Sequence, residues 1–332
     1  MSDSEVFDTT IIGGGPSGLF AAFYAGLRAS RTKIIDSLAE LGGQLGALYP
    51  DKYIYDLPGF PKVLAREFVH RLVTQAMGFS PTVCLNEKVT VVRRRDDGLI
   101  ELTTEPGNVH LSRTVIVAAG AGAFVPRTLD IPDIKRMEGK GVHYFLQDLE
   151  VFHDKRVMVV GGGDTAVDWA LCLLPIAREV YLVHRRGEFR AHEESVKEVF
   201  ASPGHVMLYH ELKALHGQSH LRSATVFDNR SGAEQTVDLD AIVLGLGFLA
   251  NLGPIKSWGL QIAGNSIVVD HTMRTNIPGV YAVGDITTYE GKIKLIAIGT
   301  AEAAIAANYA KQFVDPTTRL FPGHSSDRDK KP

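Results

Sequence analysis

A pattern that occurs twice constrains this chain more than any other feature: an apolar strand, a glycine-rich turn, a helix and a second apolar strand. The first copy spans residues 9–36 and the second spans residues 156–184. Elements in this order form two neighbouring parallel strands joined by a crossover helix. The repeat therefore predicts an α/β chain with two parallel-sheet domains rather than one elaborated fold. A length of 332 residues suits two domains of ordinary size.

The first turn, Gly13-x-Gly15-x-x-Gly18, has the spacing of a Rossmann dinucleotide-binding turn. Its first glycine allows the tight bend, its second lets the backbone approach a pyrophosphate, and its third lets the helix pack on the strand. The pyrophosphate then binds at the helix N-terminus, where unpaired N–H groups favour an anion. Asp36 ends the second strand about 20 residues further on, where a carboxylate accepts hydrogen bonds from ribose hydroxyls. This copy therefore predicts a site for a dinucleotide without a 2′-phosphate.

The second turn, Gly161-x-Gly163-x-x-Ala166, is an allowed variant of the same spacing, but its second strand ends in basic residues. Guanidinium groups bind phosphate through charge-assisted hydrogen bonds, whereas a carboxylate repels it. This copy therefore predicts NADP rather than NAD, with a solvated basic turn as the alternative. The opposite charges at the two ribose positions indicate different ligands, FAD in the first domain and NADPH in the second. The basic residues are His184, Arg185, Arg186 and Arg190.

The two domains are predicted to be nested in the chain. Apolar strands at residues 114–118 and 241–244 each end in small residues and glycine, where we expect the chain to cross between domains. The FAD domain is then residues 1–122 and 250–332, and the NADPH domain, residues 123–249, is inserted into it. The expected fold class is α/β, with two three-layer Rossmann-like domains.

Composition and charge exclude several classes of protein. A formal net charge of −3 lacks the basic excess of a nucleic-acid-binding chain. The start of the chain is acidic, unlike a signal peptide, and no apolar run reaches the roughly 18 residues of a membrane span, so we expect a cytoplasmic protein. Cys84 and Cys172 are predicted to be buried thiols rather than a redox pair. The sequence shows no metal-ligand spacing and no set of acid–base or nucleophilic catalytic residues.

Almost the whole chain resembles the thioredoxin-reductase-like ferredoxin–NADP reductases. Residues 275–285 are similar to the second flavin signature of that family, residues 294–302 to the helix start beneath the flavin pyrimidine, and residues 42–60 to the isoalloxazine loop. The resemblance implies an FAD enzyme in which hydride passes from nicotinamide C4 to flavin N5, and electrons then leave singly for ferredoxin. Flavodoxin is a further acceptor on this view. The resemblance also implies a homodimer.

The site residues follow from the motifs and the resemblance together. By resemblance, Asp285 meets the ribityl chain, a helix begins near Thr300, and Val89 and Phe124 contact FAD through backbone or packing. Ser325 and Ser326 are alternatives for a further contact with the flavin. The predicted FAD-binding residues are Gly13, Gly15, Ser17, Gly18, Asp36, Gln44, Tyr49, Val89, Phe124, Asp285, Thr300, Ser325 and Ser326. The predicted NADPH-binding residues are Gly161, Gly163, Asp164, Thr165, Ala166, His184, Arg185, Arg186 and Arg190.

The chain departs from thioredoxin reductases at one informative place. Their redox-active CxxC lies shortly before the second nucleotide-binding strand, where this chain has residues 144–148, Tyr-Phe-Leu-Gln-Asp. Because no dithiol is present there, electrons are expected to leave the flavin directly. The resemblance also implies a C-terminal extension, residues 315–332, with a ring that covers the flavin. His324 is the candidate, opposite Tyr49 on the other flavin face, and an ordinary exposed tail histidine is the alternative.

Two other functions remain open from the sequence. One is an NADPH-dependent flavoprotein reductase that acts on a separate dithiol protein or on flavodoxin, and a thiol assay tests the first of these. The other is a non-catalytic FAD/NADPH sensor, which rapid NADPH oxidation by an artificial dye excludes. Residues 93–95 are three consecutive arginines that could dock an acidic ferredoxin, but a solvated strand end is the favoured interpretation.

Overall fold

The computed structural model describes residues 5–48, 50–120, 122–146 and 148–324, without the side chains of Leu48, of residues 123–126 and of residues 248–250. Among the described residues, no helix is both long enough and apolar enough to cross a membrane. Neither Cys84 nor Cys172 forms a disulfide.

The chain divides into two compact units. Unit 1 consists of Met1–Ala123 and Ala250–Pro332, and unit 2 consists of Phe124–Leu249. The chain passes from one unit to the other in the strands Ala123–Pro126 and Phe248–Asn251, which pair in a two-stranded sheet.

Four α-helices belong to unit 1 and three to unit 2 in the described part of the chain. They are α1 (Pro16–Leu27), α2 (Gly43–Leu48), α3 (Ala65–Met77), α4 (Pro132–Arg136), α5 (Asp164–Leu173), α6 (Glu193–Ala201) and α7 (Ile296–Val314). The C-terminal helix begins at Ile296, four residues before the predicted start near Thr300, because the apolar residues after the extended Leu295 continue a regular helical turn. Short 3₁₀ turns span Leu149–Phe152, Gly253–Ser257 and Gly284–Ile286.

Unit 1 is built on a seven-stranded sheet. Its order is Thr82–Cys84, Thr32–Ile35, Val6–Ile12, Val109–Val117, Ile100–Thr104 and Val89–Arg94, with Val280–Ala282 also paired to Val109–Val117. The pairs formed by Val6–Ile12 are parallel, whereas Ile100–Thr104 pairs antiparallel on both sides. Smaller sheets contain Tyr53–Ile54 with Val63–Leu64, and Ile262–Ala263 with Ser266–Val268 and Thr287–Thr288.

The core of unit 1 explains why the first copy of the repeat folds as it does. Ile11 lies in register between Ile34 and Ile116 on neighbouring parallel strands, and all three side chains are fully buried. The helices α1 and α7 bury faces rich in glycine and alanine, which let two helices approach closely. The sheet and helix packing together bring the carboxyl ends of the parallel strands to one edge.

Unit 2 contains a five-stranded parallel sheet in the order Val142–His143, Ala241–Leu244, Arg156–Val160, Glu179–His184 and His205–Leu208. An antiparallel sheet of His210–His216, Ser223–Asp228 and Glu234–Asp238 lies in the chain between the parallel strands His205–Leu208 and Ala241–Leu244. The strand Arg156–Val160 occupies the centre of the parallel sheet, so the second glycine-rich turn also begins at the carboxyl edge of its sheet.

Candidate functional site: two glycine-rich turns

The glycine-rich turn of unit 1 leaves no space for side chains. Gly13 has a φ of +107°, and a Cβ atom there would overlap the carbonyl oxygen of Ala118. A Cβ atom on Gly18 would overlap the carbonyl oxygen of Gly13. The helix α1 begins after Gly15 without a side-chain cap, so its first N–H groups have no partner within the helix. The turn therefore offers the close backbone approach and the free donors that a pyrophosphate requires.

Three segments of unit 1 meet at Ser17. A Cβ atom on Gly284 would lie 2.7 Å from the Ser17 Oγ, and one on Gly299 would overlap the same oxygen. The 3₁₀ turn that begins at Gly284 and the first turn of α7 therefore lie against the start of α1. This arrangement brings the predicted residues Ser17, Asp285 and Thr300 into one region.

Asp36 ties the end of its strand to the glycine-rich turn. The residue is 7% exposed, and its carboxylate accepts hydrogen bonds from the N–H of Gly14 at 2.5 Å and from the N–H of Leu38 at 2.8 Å. Burial raises the pKa of Asp36, and the backbone hydrogen bonds oppose that rise. Each carboxylate oxygen has a further lone pair, so the group can hold the turn and still accept from a ribose hydroxyl.

The remaining predicted FAD residues are less closely grouped. Gln44 lies in α2, and a Cβ atom on Gly120 would be 2.9 Å from its Nε2. Val89 belongs to the hydrophobic core, which leaves only its backbone for a ligand. Tyr49, Ser325 and Ser326 lie outside the described residues, as does the side chain of Phe124.

A buried carboxylate next to the Gly284 turn, that of Glu302, was not predicted from the sequence. Glu302 is 2% exposed and accepts from the N–H of Gly284 at 2.7 Å, from the Tyr289 hydroxyl at 2.6 Å, and from the Nζ of Lys292. Burial, followed by the bond to Glu302, raises the pKa of Tyr289 to about 12. A signal was present, because Glu302 interrupts the otherwise glycine- and alanine-lined face of α7 at helical spacing.

Unit 2 repeats the tight turn. A Cβ atom on Gly161 would overlap the carbonyl oxygen of Gly245, and Ala166 packs against both glycines. The helix α5 begins after Gly163 without a side-chain cap, and Thr165 belongs to its first turn. A second set of free N–H donors therefore stands at the end of a parallel strand.

Backbone contacts connect the basic loop of unit 2 to this turn. The N–H of Arg190 donates to the carbonyl oxygen of Gly162 at 2.7 Å. The Asp164 carboxylate accepts from the N–H of His192 at 2.9 Å. Asp164 therefore supports the loop that carries Arg190, in addition to lying at the start of α5.

Three arginines of this loop have no acidic partner. Arg185, Arg186 and Arg190 are exposed, and no ion pair among the described residues includes any of them. Arg178, in the same unit, instead pairs with Asp154 at 2.7 Å. Three neighbouring charges without counter-charges repel one another, and an anion such as a phosphate relieves that repulsion.

The ring of His184 lies against Gly162 in the glycine-rich turn of unit 2. A Cβ atom on Gly162 would overlap its imidazole, the ring stacks on Phe189 at 5.0 Å between centroids, and its Nε2 donates to the carbonyl oxygen of Glu188 at 2.9 Å. Burial lowers the pKa of His184, the hydrogen bond to Glu188 opposes that shift, and the charges of Arg186 and Arg185 lower the pKa further. The structure therefore places the predicted NADPH-binding residue His184 against the glycine-rich turn of unit 2.

A cluster of Cys84, Glu87 and His110 in unit 1 has side chains of metal-binding type within 4.8 Å of one another. The Nδ1 of His110 lies 3.0 Å from the Nζ of Lys33, and its Nε2 lies 2.9 Å from Glu87. Both ring nitrogens thus have partners, and an ammonium group adjoins them. The cluster is a lysine–histidine–glutamate hydrogen-bond chain rather than a cation site.

The C-terminal extension is anchored at the end of α1 opposite the glycine-rich turn. Arg28, which follows α1, donates to the carbonyl oxygens of Arg319 at 2.6 Å and Leu320 at 3.1 Å. Twelve helical residues span about 18 Å, which separates this anchor from the turn. The His324 ring meets Phe321 edge-on at 5.4 Å between centroids. No described contact joins His324 to the predicted FAD residues.

Comparison with known proteins places the chain in a family. The family model of pyridine nucleotide-disulphide oxidoreductases matches residues 7–305. A ferredoxin–NADP reductase of Geobacillus thermodenitrificans is 53% identical over 325 residues, and one of Geobacillus kaustophilus is 54% identical over 325 residues, with 98% of each chain covered in both cases. The structure of Lactococcus lactis thioredoxin reductase in its FR conformation matches with a TM-score of 0.80 at 25% identity, covering 93% of this chain and 99% of that one.

These findings confirm the family resemblance and the α/β class with two Rossmann-like parts that the sequence predicted. The matched span contains both glycine-rich turns, the basic loop and the Gly284 turn. The chain belongs to the pyridine nucleotide-disulphide oxidoreductase family.

Proposed function

We propose that this chain is an FAD-dependent ferredoxin–NADP⁺ oxidoreductase, with FAD in unit 1 and NADPH in unit 2. The observation that carries the proposal is the contrast at the two ribose positions. Asp36 presents a buried carboxylate in unit 1, whereas unit 2 presents three exposed arginines that have no acidic partner among the described residues. A carboxylate binds ribose hydroxyls and repels a 2′-phosphate, and guanidinium groups bind that phosphate. The relatives named ferredoxin–NADP reductase, at 53% and 54% identity over the full length, support the same activity here.

The residues present fit both nucleotides. The starts of α1 and α5 would each hold a pyrophosphate, because each follows a glycine-rich turn and no side chain caps its first N–H groups. Ser17, Asp285 and Thr300 would line the path of FAD beyond its pyrophosphate. The proposals for Tyr49, Phe124, His324, Ser325 and Ser326 are supported by the family resemblance alone.

Bound FAD would supply the hydride acceptance and single-electron release that amino-acid side chains do not provide. The task of the chain is therefore to bind and orient the two nucleotides. Residues 144–148 contain no cysteine, and Cys84 and Cys172 belong to different units without a disulfide. Since the chain carries no dithiol at the place where thioredoxin reductases do, a separate protein must take the electrons.

An acceptor panel tests this proposal. The FAD-loaded protein is supplied with NADPH, and reduction of cytochrome c is followed with ferredoxin, flavodoxin or thioredoxin added in turn. A requirement for ferredoxin supports the proposal, and activity with flavodoxin as well extends it. Electron delivery to thioredoxin alone would overturn it in favour of a disulfide reductase. Failure to oxidise NADPH even with an artificial dye would overturn it in favour of a sensor.

We also propose that the protein is a cytoplasmic homodimer, as the resemblance implies. Light scattering coupled to size-exclusion chromatography tests the dimer, since a mass near the 36.1 kDa of one chain at micromolar concentration would contradict it.

A further inference from the structure

We propose that Glu302 is a positioning residue for FAD: by accepting the Gly284 N–H, it fixes the turn that presents Asp285 to the cofactor. This inference rests on the proposed function, because it requires FAD to bind at that turn. Glu302 is not expected to touch FAD. It acts through the backbone of the residue before Asp285.

The peptide groups around Gly284 are fixed from two sides. The N–H of Gly284 donates to the Glu302 Oε2 at 2.7 Å, and its carbonyl oxygen accepts from the Thr287 hydroxyl at 2.8 Å. The φ of Gly284 is +78°, a conformation that disfavours other residues, and Ser17 leaves no space for a Cβ atom. Both polar backbone groups of Gly284 therefore have partners, which restricts the orientation of the backbone before Asp285.

Glu302 also connects this turn to α7. The carboxylate belongs to the second turn of α7, just after Thr300, while its partner Gly284 begins the 3₁₀ turn. One side chain therefore fixes the relative position of the two segments that carry Asp285 and Thr300. A binding site held in this way costs less free energy to order when the ligand arrives.

The negative charge of Glu302 is neutralised within the protein interior by Lys292. The side chains of Lys292 and Glu302 are 5% and 3% exposed and form an ion pair, and Tyr289 donates to the same carboxylate oxygen as Lys292. A buried ion pair is rarely more stabilising than apolar residues of similar size. Stability alone therefore does not account for this one. The ion pair is instead explained if Glu302 serves as the anionic acceptor of the Gly284 N–H and Lys292 neutralises its charge.

The main test is Glu302→Gln. Glutamate has two acceptor oxygens for three donors, but glutamine has one. The buried ammonium of Lys292 costs more to leave unpaired than a neutral N–H, so Lys292 keeps the oxygen and the Gly284 N–H loses its acceptor. We expect the Kd of the apoprotein for FAD, measured by quenching of flavin fluorescence, to rise at least about tenfold. The thermal midpoint of the apoprotein is recorded in parallel, so that affinity is compared only where each variant is folded.

Asp270→Asn is the matched control. The Asp270 carboxylate accepts three hydrogen bonds, from the N–H and hydroxyl of Thr272 and from the N–H of Arg274, and so it holds another turn of unit 1. We expect this variant to lower the thermal midpoint while its Kd for FAD stays within about twofold of the wild type. Equal FAD affinities of the Glu302 and Asp270 variants would overturn the proposal, because Glu302 would then be merely structural.

A rescue variant gives a second readout. In Glu302→Gln with Lys292→Met, the ammonium group is absent, so the glutamine oxygen can accept the Gly284 N–H and its amide can donate to the Tyr289 oxygen. We expect the FAD affinity of this double variant to recover to within about threefold of the wild type. If Glu302→Gln does not fold, Tyr289→Phe replaces it, with an expected rise in Kd of at least about threefold. An unchanged Kd in that variant overturns the proposal.

Asp285→Ala separates this inference from the proposed function. If Asp285→Ala weakens FAD binding and the Glu302 and Tyr289 variants do not, the positioning role fails and the site stands. If Asp285→Ala leaves the Kd for FAD unchanged, the turn is not part of the FAD site and both proposals fail.

Discussion

Replacing Arg185 by alanine should weaken the preference of the enzyme for NADPH over NADH. Arg185 is exposed, forms no ion pair within the part of the chain that the structure describes, and shares its loop with Arg186 and Arg190. A hydrogen bond to a charged group contributes about 1.5–3 kcal/mol. Because two arginines remain and the loop is open to solvent, we take about 2 kcal/mol for the loss. Since 1.4 kcal/mol corresponds to a factor of ten, the KM for NADPH should rise about 30-fold.

Steady-state oxidation of NADPH and NADH, with an artificial dye as acceptor, measures this change. NADH has no 2′-phosphate, so its KM should change less than about threefold. Arg178→Ala is the control, because it removes the same charge from the same unit at an arginine that pairs with Asp154. That variant should leave both KM values within about twofold. Equal losses for NADPH and NADH in Arg185→Ala would refute the assignment of the 2′-phosphate to this loop.

Three further predictions follow from the turns, the buried histidine and the C-terminal extension. Gly18→Ala should abolish FAD retention, because its Cβ would overlap the Gly13 carbonyl oxygen, whereas Gly162→Ala, whose Cβ would overlap the His184 ring, should weaken only NADPH. Each variant controls for the other, and loss of both ligands in either variant would contradict two independent sites. Burial lowers the pKa of His184 in the folded protein, so the unfolded chain takes up this proton first as pH falls. The free energy of unfolding should therefore lose the His184 contribution as pH drops below the ordinary imidazole value of about 6.5, and chemical denaturation of His184→Gln should show a smaller loss. An identical pH dependence in this variant would contradict a lowered pKa of His184 in the folded protein. His324→Ala should speed flavin reduction by NADPH in stopped-flow measurements if displacement of that ring limits hydride transfer, and an unchanged rate would exclude this.

The glycine spacing predicted most of the local geometry, because a tight turn permits few residue types. Gly13 and Gly161 stand where a Cβ atom would strike a neighbouring strand end, and that constraint is visible in the sequence alone. The predicted start of α7 near Thr300 is four residues too late, because no capping side chain precedes Ile296 to mark the boundary. Boundaries of this kind depend on local backbone choices that side-chain patterns do not determine.

Contacts between distant segments could not be predicted from spacing. The hydrogen bond from Gly14 to Asp36 and that from Gly284 to Glu302 join segments that meet only after the sheet and helices have packed. His184 shows the same limitation in another form. Its position at the strand end predicts a ligand contact, and that prediction stands, but the contact of its ring with Gly162 was not predictable from the spacing. A residue type and a spacing predict which chemistry is available, while packing decides which side of the turn a ring occupies.

The most direct test of the central claim is an anaerobic stopped-flow experiment in two steps. The FAD-loaded protein is mixed first with NADPH or NADH while flavin absorbance is followed, and the reduced protein is then mixed with oxidised ferredoxin. Bleaching by NADPH in preference to NADH, followed by recovery of the absorbance with ferredoxin, is the predicted result. A flavin that NADPH does not reduce, or that ferredoxin does not reoxidise while a disulfide substrate does, would contradict the account.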